Sequence, residues 1–137
     1  LARSPDGRKA YLPVEGIPSR VAEVDLKDGS ISMIDLQGQH LLRGLAVTQD
    51  GKTLVVNASK KALRIDLADK KVVQEVALNG HHMDVALSTD GRRAYFAKPI
   101  HEKGILIDHS PTTPRHERGL VTYPNTTYLH CISGWNV

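Results

Sequence analysis

The segment "LSTDGRRAYFA" (Leu87–Ala97) decides the fold, because two other segments of the chain repeat it. They are "RSPDGRKAYLP" (Arg3–Pro13) and "VTQDGKTLVVN" (Val47–Asn57). Each copy has Ser or Thr two residues before an Asp-Gly pair and a basic residue directly after it. The glycines stand at positions 7, 51 and 91, so the spacing is 44 and then 40 residues. Self-similarity at such a period indicates a repeat architecture.

The middle unit, residues 38–78, shows what each repeat contains. Four β-like segments follow one another in it with short polar connections: "GLAVTQ", "TLVVNA", "ALRIDL" and "VVQEVAL". Apolar residues alternate in the third segment, which is typical of a half-buried strand. The continuously apolar "LVV" of the second segment suits a strand that is covered on both faces. At each Asp-Gly pair we expect a two-residue hairpin loop, because Gly accepts positive φ freely and Asp tolerates it.

A second marker recurs inside each unit. It is an apolar residue followed by Asp at the end of a β-like run, in "EVDLKDG" (Glu23–Gly29), "RIDLADK" (Arg64–Lys70) and "LIDHSPT" (Leu106–Thr112). Four antiparallel strands that repeat every 40 to 45 residues or so, roughly the spacing seen here, are the pattern of a β-propeller blade. The sequence therefore predicts an all-β fold, a partial β-propeller with about three four-stranded antiparallel blades.

The repeated segments resemble a known family. "SPDGRKAYL" and "STDGRRAYF", followed by "LRIDL" and "ILIDH", look like the YVTN-type repeats of bacterial and archaeal seven-bladed propellers. The resemblance covers residues 1–109. It implies the propeller fold but no single activity. The family includes surface-layer proteins, secreted propellers that bind DNA or a partner, and relatives among quinone-dependent amine dehydrogenase subunits and the haem d1 domains of nitrite reductases.

The repeat boundaries divide the chain into one blade each at residues 1–37, 38–78 and 79–123. Residues 124–137 are expected to be an irregular tail or the start of a next blade, for which "YLHCIS" (Tyr128–Ser133) is the candidate strand. A closed propeller typically needs about four to eight blades. We therefore expect the remaining blades to come from the same longer chain.

Composition and charge exclude several classes of function. The 18 Lys and Arg residues are scattered among 15 acidic ones, so nucleic-acid binding is not indicated. No run approaches the roughly 18 apolar residues that a membrane span requires. A single cysteine, Cys131, excludes an internal disulfide and any site with several Cys ligands. The family resemblance and the near absence of cysteine favour a periplasmic or extracellular location.

Alternating strand direction assigns the connections of each blade to two faces. The connection into strand one and the connection between strands two and three share one face, here called the lead-in face. The Asp-Gly turns and the turns between strands three and four share the other, here called the turn face, which we expect to be purely structural. The lead-in face receives residues 38–44 and 79–84 at the mouth of the innermost strands, and residues 14–20 and 98–104 farther out.

Polar side chains concentrate on the lead-in face and form the predicted ligand-binding surface. They are His40, Arg43, His81, His82, Asp84, Lys98, His101 and Glu102. In an extended segment His81 and His82 point to opposite sides, whereas His82 and Asp84 face the same way. That pair is the best candidate for a metal site, or for an imidazole base oriented by a carboxylate. A complete metal site needs about three or four protein ligands, so residues that cap a turn or line a wet tunnel are the favoured interpretation.

We find no Gly-rich phosphate loop, nucleophile elbow or HExxH motif in the sequence. We therefore expect a non-catalytic scaffold without a cofactor, whose lead-in face binds a protein, a polymer or a small ligand. The alternative is a subunit or domain of a periplasmic redox enzyme, of the quinone- or haem-dependent type among the family's relatives. In that case a metal or cofactor would lie at the central tunnel, and the other blades would supply the missing ligands.

Overall fold

A computed structural model describes residues 1–38, 40–78, 80–98 and 128–133, and in them the chain forms three antiparallel β-sheets. Sheet 1 contains β1 (Ala2–Arg3), β2 (Lys9–Val14), β3 (Arg20–Asp25) and β4 (Ile31–Asp35). Sheet 2 contains β5 (Gly44–Val47), β6 (Thr53–Asn57), β7 (Lys61–Asp66) and β8 (Lys71–Ala77). Sheet 3 contains β9 (Asp84–Leu87), β10 (Arg93–Lys98) and β11 (Tyr128–Ser133).

The strands of sheets 1 and 2 lie in sequence order, each antiparallel to the next. The all-β architecture is confirmed for these residues and is consistent with a partial β-propeller. The same described ranges contain no helix that is long and apolar enough to cross a membrane.

The sheets pack face to face through alternate residues of their strands. The first apolar layer joins sheet 1 to sheet 2 and includes Ala2, Tyr11, Val21, Ile34, Leu45, Leu54, Val56, Leu63 and Ile65. The second joins sheet 2 to sheet 3 and includes Val55, Ala62, Val85, Ala94 and Phe96. Strand β6 supplies both layers, and all five of its residues are buried. The prediction that this strand is covered on both faces is therefore confirmed.

Each Asp-Gly turn is a four-residue loop, so the predicted two-residue hairpin is wrong. In the first turn the Ser4 N–H donates to Lys9 O (2.8 Å) and the Gly7 N–H donates to Ser4 O (2.9 Å). Gly7 has φ 71°, and its counterparts Gly51 and Gly91 have 71° and 69°. The aspartates stay outside the positive-φ region. Each contributes to the turn through the hydrogen bonds of its carboxylate.

The carboxylate of each turn is held by the Ser or Thr that precedes it by two residues. The hydroxyl donates to the carboxylate at 2.6 Å in all three turns, in the pairs Ser4–Asp6, Thr48–Asp50 and Ser88–Asp90. The backbone N–H of the basic residue after Gly donates to the same oxygen at 3.0 Å. The recurring Ser/Thr-x-Asp-Gly pattern thus encodes a side-chain hydrogen-bond network that closes the loop.

The strand Tyr128–Ser133 differs from the sequence-based expectation. It pairs antiparallel with β10, where Tyr95 lies opposite Cys131, and it is the third strand of sheet 3. It therefore does not open a further sheet. The segment that the second marker predicts for this position, Leu106–Thr112, lies outside the described residues.

The surface of sheet 1 that faces away from sheet 2 is apolar. Leu12, Ala22 and Met33 form one cross-strand row on it, and Ile31 lies opposite Val24 in the next row. The exposed fractions are 38% for Leu12, 62% for Ile31 and 48% for Met33. A contiguous apolar sheet surface of this kind is characteristic of an interface.

The turn carboxylates are predicted to make the stability of the protein depend on pH. The hydroxyl and then the backbone N–H lower the pKa of Asp6, Asp50 and Asp90. A carboxyl whose pKa is lowered by folding stabilises the folded state above its unfolded pKa of about 4, and this contribution is lost as the pH falls through the folded pKa. We expect the D6N/D50N/D90N variant to be less stable than the parent at neutral pH.

The Asn variant also supplies its own control, because an amide oxygen accepts the same hydrogen bonds as a protonated carboxyl. The stability difference from the parent should therefore shrink as the pH falls below about 4. Urea unfolding at a series of pH values measures this difference. A difference that is equal at neutral pH and in strong acid would show that the charge of the turn carboxylates contributes nothing.

Candidate functional site

The lead-in face holds the predicted site residues for which the structure gives a position. Because successive strands are antiparallel, the segments that lead into β5 and β9 reach the same end as the connections after β2 and β6. The segments carry His40, Arg43, His81, His82 and Asp84. Lys98 is the last residue of β10, with only its backbone described, and His101 and Glu102 lie outside the described residues.

Ser19 fixes the segment that carries His40. The His40 N–H donates to Ser19 Oγ (2.8 Å), and the Ser19 N–H donates to Gly38 O (2.7 Å). The Ser19 hydroxyl also lies 3.1 Å from the carbonyl oxygens of Gly16 and His40. The His40 ring is half-buried, with Nε2 3.3 Å from Leu36 O. His40 is therefore tied into its own connection.

Ser59 has the corresponding role one unit later, where it contacts both adjacent histidines. Its hydroxyl lies 2.7 Å from His81 Nδ1, and its carbonyl oxygen accepts from the His82 N–H (3.0 Å). Ser59 has φ 65°, and its own N–H donates to Asn57 Oδ1 (3.0 Å), which holds this uncommon conformation. The exposed His81 ring is thereby oriented through Nδ1, which leaves Nε2 for a ligand.

A Ser–His contact of this length is also the geometry of an activated nucleophile. Ser59, however, is only 4% exposed, so its Oγ is shielded from a substrate that approaches the lead-in face. The contact therefore orients His81. Sequence reasoning missed both Ser19 and Ser59, because neither belongs to a recognisable motif and each contacts a histidine segment that is distant in sequence.

His82 lies in the apolar layer between sheets 2 and 3. It is fully buried, its Nδ1 is 3.0 Å from Gly80 O, and its ring packs edge-on against Phe96 with centroids 6.1 Å apart. The repeat explains this position. When Asp50-Gly51 is aligned with Asp90-Gly91, His82 coincides with Leu42, which is 4% exposed and belongs to the first apolar layer.

Asp84 occupies a different environment from His82. It is exposed, and its Oδ1 accepts from the Val85 N–H (2.8 Å). Its backbone packs against Gly44 so closely that a Cβ at Gly44 would lie 2.9 Å from Asp84 Cα and 2.8 Å from Val85 N. Asp84 O also lies 3.3 Å from Asn57 Nδ2. Asp84 and Gly44 therefore form a tight junction between the first strands of sheets 2 and 3.

This geometry does not fit an ion shared by His82 and Asp84. The His82 ring is enclosed by the apolar layer, whereas the Asp84 carboxylate is on the surface and bonded to its own neighbour. The expectation that the two side chains face the same way fails because residues 81–83 precede β9 and do not form a regular strand. Within the part of the chain that the structure describes, no group of three or more His, Cys, Asp or Glu side chains could hold a metal.

Exposed side chains of the segments that lead into β5 and β9 include Arg43, His81, Met83 and Asp84. Their backbone is fixed: the Arg43 N–H donates to Asn57 O and the Met83 N–H to Ala97 O, both at 2.8 Å. The described site thus presents a guanidinium, an imidazole, a thioether and a carboxylate on ordered segments.

If His82 is a core residue, leucine should replace it better than alanine does. We expect His82→Leu to lower the free energy of unfolding by less than His82→Ala does, because leucine keeps the apolar packing beside Phe96 although the hydrogen bond to Gly80 is lost. We expect His82→Ala to cost about 2 to 4 kcal/mol, because it leaves a cavity beside Phe96. Chemical denaturation of both variants measures these values. A His82→Leu variant as unstable as His82→Ala would contradict the core role.

Comparisons with known proteins bear on the fold more than on the site. No protein-family model and no curated protein matches the chain. Many chains of solved structures do match, among them hydrazine synthase from Kuenenia stuttgartiensis. That chain is 25% identical to this one with a TM-score of 0.61, over 70% of this chain. The matched part is only 27% of the hydrazine synthase chain, and the similarity supports the all-β architecture.

Proposed function

We propose that the lead-in face binds a protein or a small ligand, and that the sheets are a rigid scaffold without a catalytic role. The observation that supports this most directly is the combination of exposed side chains with a fixed backbone. Arg43, His81 and Met83 are exposed, while hydrogen bonds to neighbouring connections and strands hold the segments that carry them. A surface that is ordered before binding loses less conformational entropy when the ligand arrives.

The chemistry of the surface suits a ligand with mixed character. Arg43 and Asp84 offer opposite charges, the oriented His81 ring offers Nε2, and the flexible Met83 side chain adapts to an apolar group. Arginine and methionine are both enriched in protein interfaces, which favours a protein partner.

The scaffold is, in our proposal, a set of consecutive blades of a YVTN-type β-propeller. Further blades of the same longer chain cover the apolar surface of sheet 1, where Leu12, Ile31 and Met33 are exposed. Closure of the ring removes the open sheet edges that would otherwise invite aggregation. The location that goes with this family resemblance is the periplasm or the cell exterior.

A redox enzyme subunit is the second candidate. Its support is the similarity to a hydrazine synthase chain, which is an enzyme by its name. In this case the central tunnel would hold a metal, a quinone or a haem, and blades outside this chain would supply ligands beside His81 Nε2 and Asp84. Fold alone does not choose between the candidates, because propellers host both kinds of function.

Metal analysis and an absorption spectrum of the full-length protein distinguish the two candidates. The binding scaffold predicts a colourless protein without stoichiometric metal, whose affinity for its partner falls at least about tenfold in the R43A/H81A variant. A stoichiometric metal or a chromophore that is lost in His81→Ala would contradict the scaffold. The matched control is His40→Ala, since His40 lies on the same face but is half-buried and tied to its own connection.

A further inference from the structure

The contact between Ser59 and His81 bears on which ring nitrogen of the histidine carries a proton. The Ser59 hydroxyl lies 2.7 Å from His81 Nδ1, and Ser59 is only 4% exposed. Among the residues that the structure describes, this hydroxyl has no other hydrogen-bond partner. A hydroxyl both donates and accepts, whereas a neutral imidazole has one N–H and one acceptor nitrogen. The contact can therefore form in two directions, each with a different tautomer of His81.

The burial of Ser59 favours one of the two directions. If the hydroxyl donates to Nδ1, its proton is satisfied and the ring proton of neutral His81 is on Nε2. If Nδ1–H donated instead, the Ser59 hydroxyl proton would be buried without an acceptor in the described part of the chain, which is costly. In the favoured arrangement the exposed His81 ring therefore presents a hydrogen-bond donor, Nε2–H.

Asn57 joins the segment of Ser59 to the two segments that lead into β5 and β9. It is fully buried, its carbonyl oxygen accepts from the Arg43 N–H (2.8 Å), and its Oδ1 accepts from the Ser59 N–H (3.0 Å). Its Nδ2 lies 3.3 Å from Asp84 O. One buried residue thus holds residues 40–44, 57–60 and 81–84 together, so the exposed groups on these segments belong to one ordered surface.

The charges of these three segments suit a ligand group with a single negative charge. Their ionic residues are Arg43, Lys60 and Asp84, all exposed, so two cations stand against one anion and one positive charge remains while the histidines are neutral. Neither the Arg43 nor the Lys60 side chain makes a hydrogen bond or an ion pair within the described ranges. A guanidinium matches the two oxygens of a carboxylate. A carboxylate balances the remaining charge, whereas a phosphate group, with about two negative charges, exceeds it.

We infer that neutral His81 carries its proton on Nε2 and that the lead-in face binds a carboxylate, which accepts from His81 Nε2–H and pairs with Arg43. This inference rests on the proposed binding function and assigns the chemistry of the group that is bound. Ser59 is the positioning residue of the site. The same contact disfavours a metal at His81, because a metal needs the lone pair of Nε2 and would force the tautomer that leaves the Ser59 hydroxyl without an acceptor.

The tautomer of His81 is measurable without any ligand, from the imidazole nitrogen shifts of the full-length protein at about pH 8, where histidine is ordinarily neutral. We expect at least about a tenfold excess of the Nε2–H tautomer in the parent and a clearly smaller excess in Ser59→Ala. His82 is an internal reference of the opposite kind, because the Gly80 carbonyl oxygen only accepts and so requires a proton on Nδ1. An Nδ1–H tautomer of His81 in the parent, or the parent's ratio in folded Ser59→Ala, would overturn the inference and leave the proposed binding surface standing.

A peptide array probed with the full-length protein tests the bound group. Each sequence is printed with Glu, Gln, Lys or phosphoserine at its central position, and succinate and inorganic phosphate are titrated alongside. We expect the Glu form of the best sequence to bind at least about tenfold more tightly than its Gln and Lys forms, because a charged acceptor is lost. Binding of succinate without any peptide would identify a small carboxylate as the source of the same group.

Two substitutions at one position separate the donor role of His81 from a merely structural one. His81→Gln keeps an N–H donor and should bind the carboxylate ligand within about threefold of the parent, whereas His81→Ala should weaken it about tenfold. His40→Ala is the matched control and should bind as the parent does, since His40 is half-buried and tied to its own connection.

The outcomes distinguish this inference from the proposed function. Equal binding of the Glu and Gln forms, a preference for phosphoserine or phosphate, or a His81→Gln variant as weak as His81→Ala would overturn the inference alone, provided that R43A/H81A still abolishes binding. If neither a peptide nor succinate nor phosphate binds to the lead-in face, the proposed function fails together with the inference.

Discussion

Burial of sheet 2 on both of its faces is the constraint on which the rest of the structure depends. Every residue of β6 is buried, with Leu54 and Val56 in one apolar layer and Val55 in the other. Each such side chain contributes about 1.5 to 3 kcal/mol when it leaves water. Since neither layer exists without a neighbouring sheet, the units depend on each other, as in other repeat proteins. Sheet 1 presents a further apolar surface, on which Leu12, Ile31 and Met33 are exposed.

This packing also determines where recognition can occur. The strands are occupied with apolar contacts, so variable chemistry is left to the two ends of the sheets. On the lead-in face, Ser19 and Ser59 tie each connection to the segment that leads into the next unit. On the turn face, the Ser/Thr–Asp pairs close each loop. The same repeat thus offers two separate surfaces with different polar groups.

Much of the fold could be predicted from sequence, because alternating apolar residues indicate the strands and a recurring turn motif indicates the repeat. The length of the Asp-Gly turn was predicted wrongly, although the sequence contains the residue that determines it. A Ser or Thr two residues before each Asp donates a hydrogen bond to the Asp carboxylate. The position of Tyr128–Ser133 beside β10 depends on long-range pairing and leaves no local signal.

The site was harder to predict for a related reason. Histidine is a common metal ligand, so His82 was predicted as a site residue. Alignment of the units, however, puts His82 at the position of the buried Leu42, and His82 is buried in the structure as well. The role of Ser59 depends on a contact between units, which no single repeat contains. Arg43, His81 and Asp84 are exposed, and their position at the mouth of the inner strands of a propeller stays a prediction.

Hydroxyl-radical footprinting of Met33 and Met83 in the full-length protein is the most direct test that the sheets are blades of a larger propeller with an open lead-in face. In this chain Met33 and Met83 are almost equally exposed, at 48% and 49%. In the proposed propeller a further blade covers Met33 on the outer surface of sheet 1, whereas Met83 stays on the open face. We predict slow oxidation of Met33 and fast oxidation of Met83. Equal oxidation rates of the two would contradict the account.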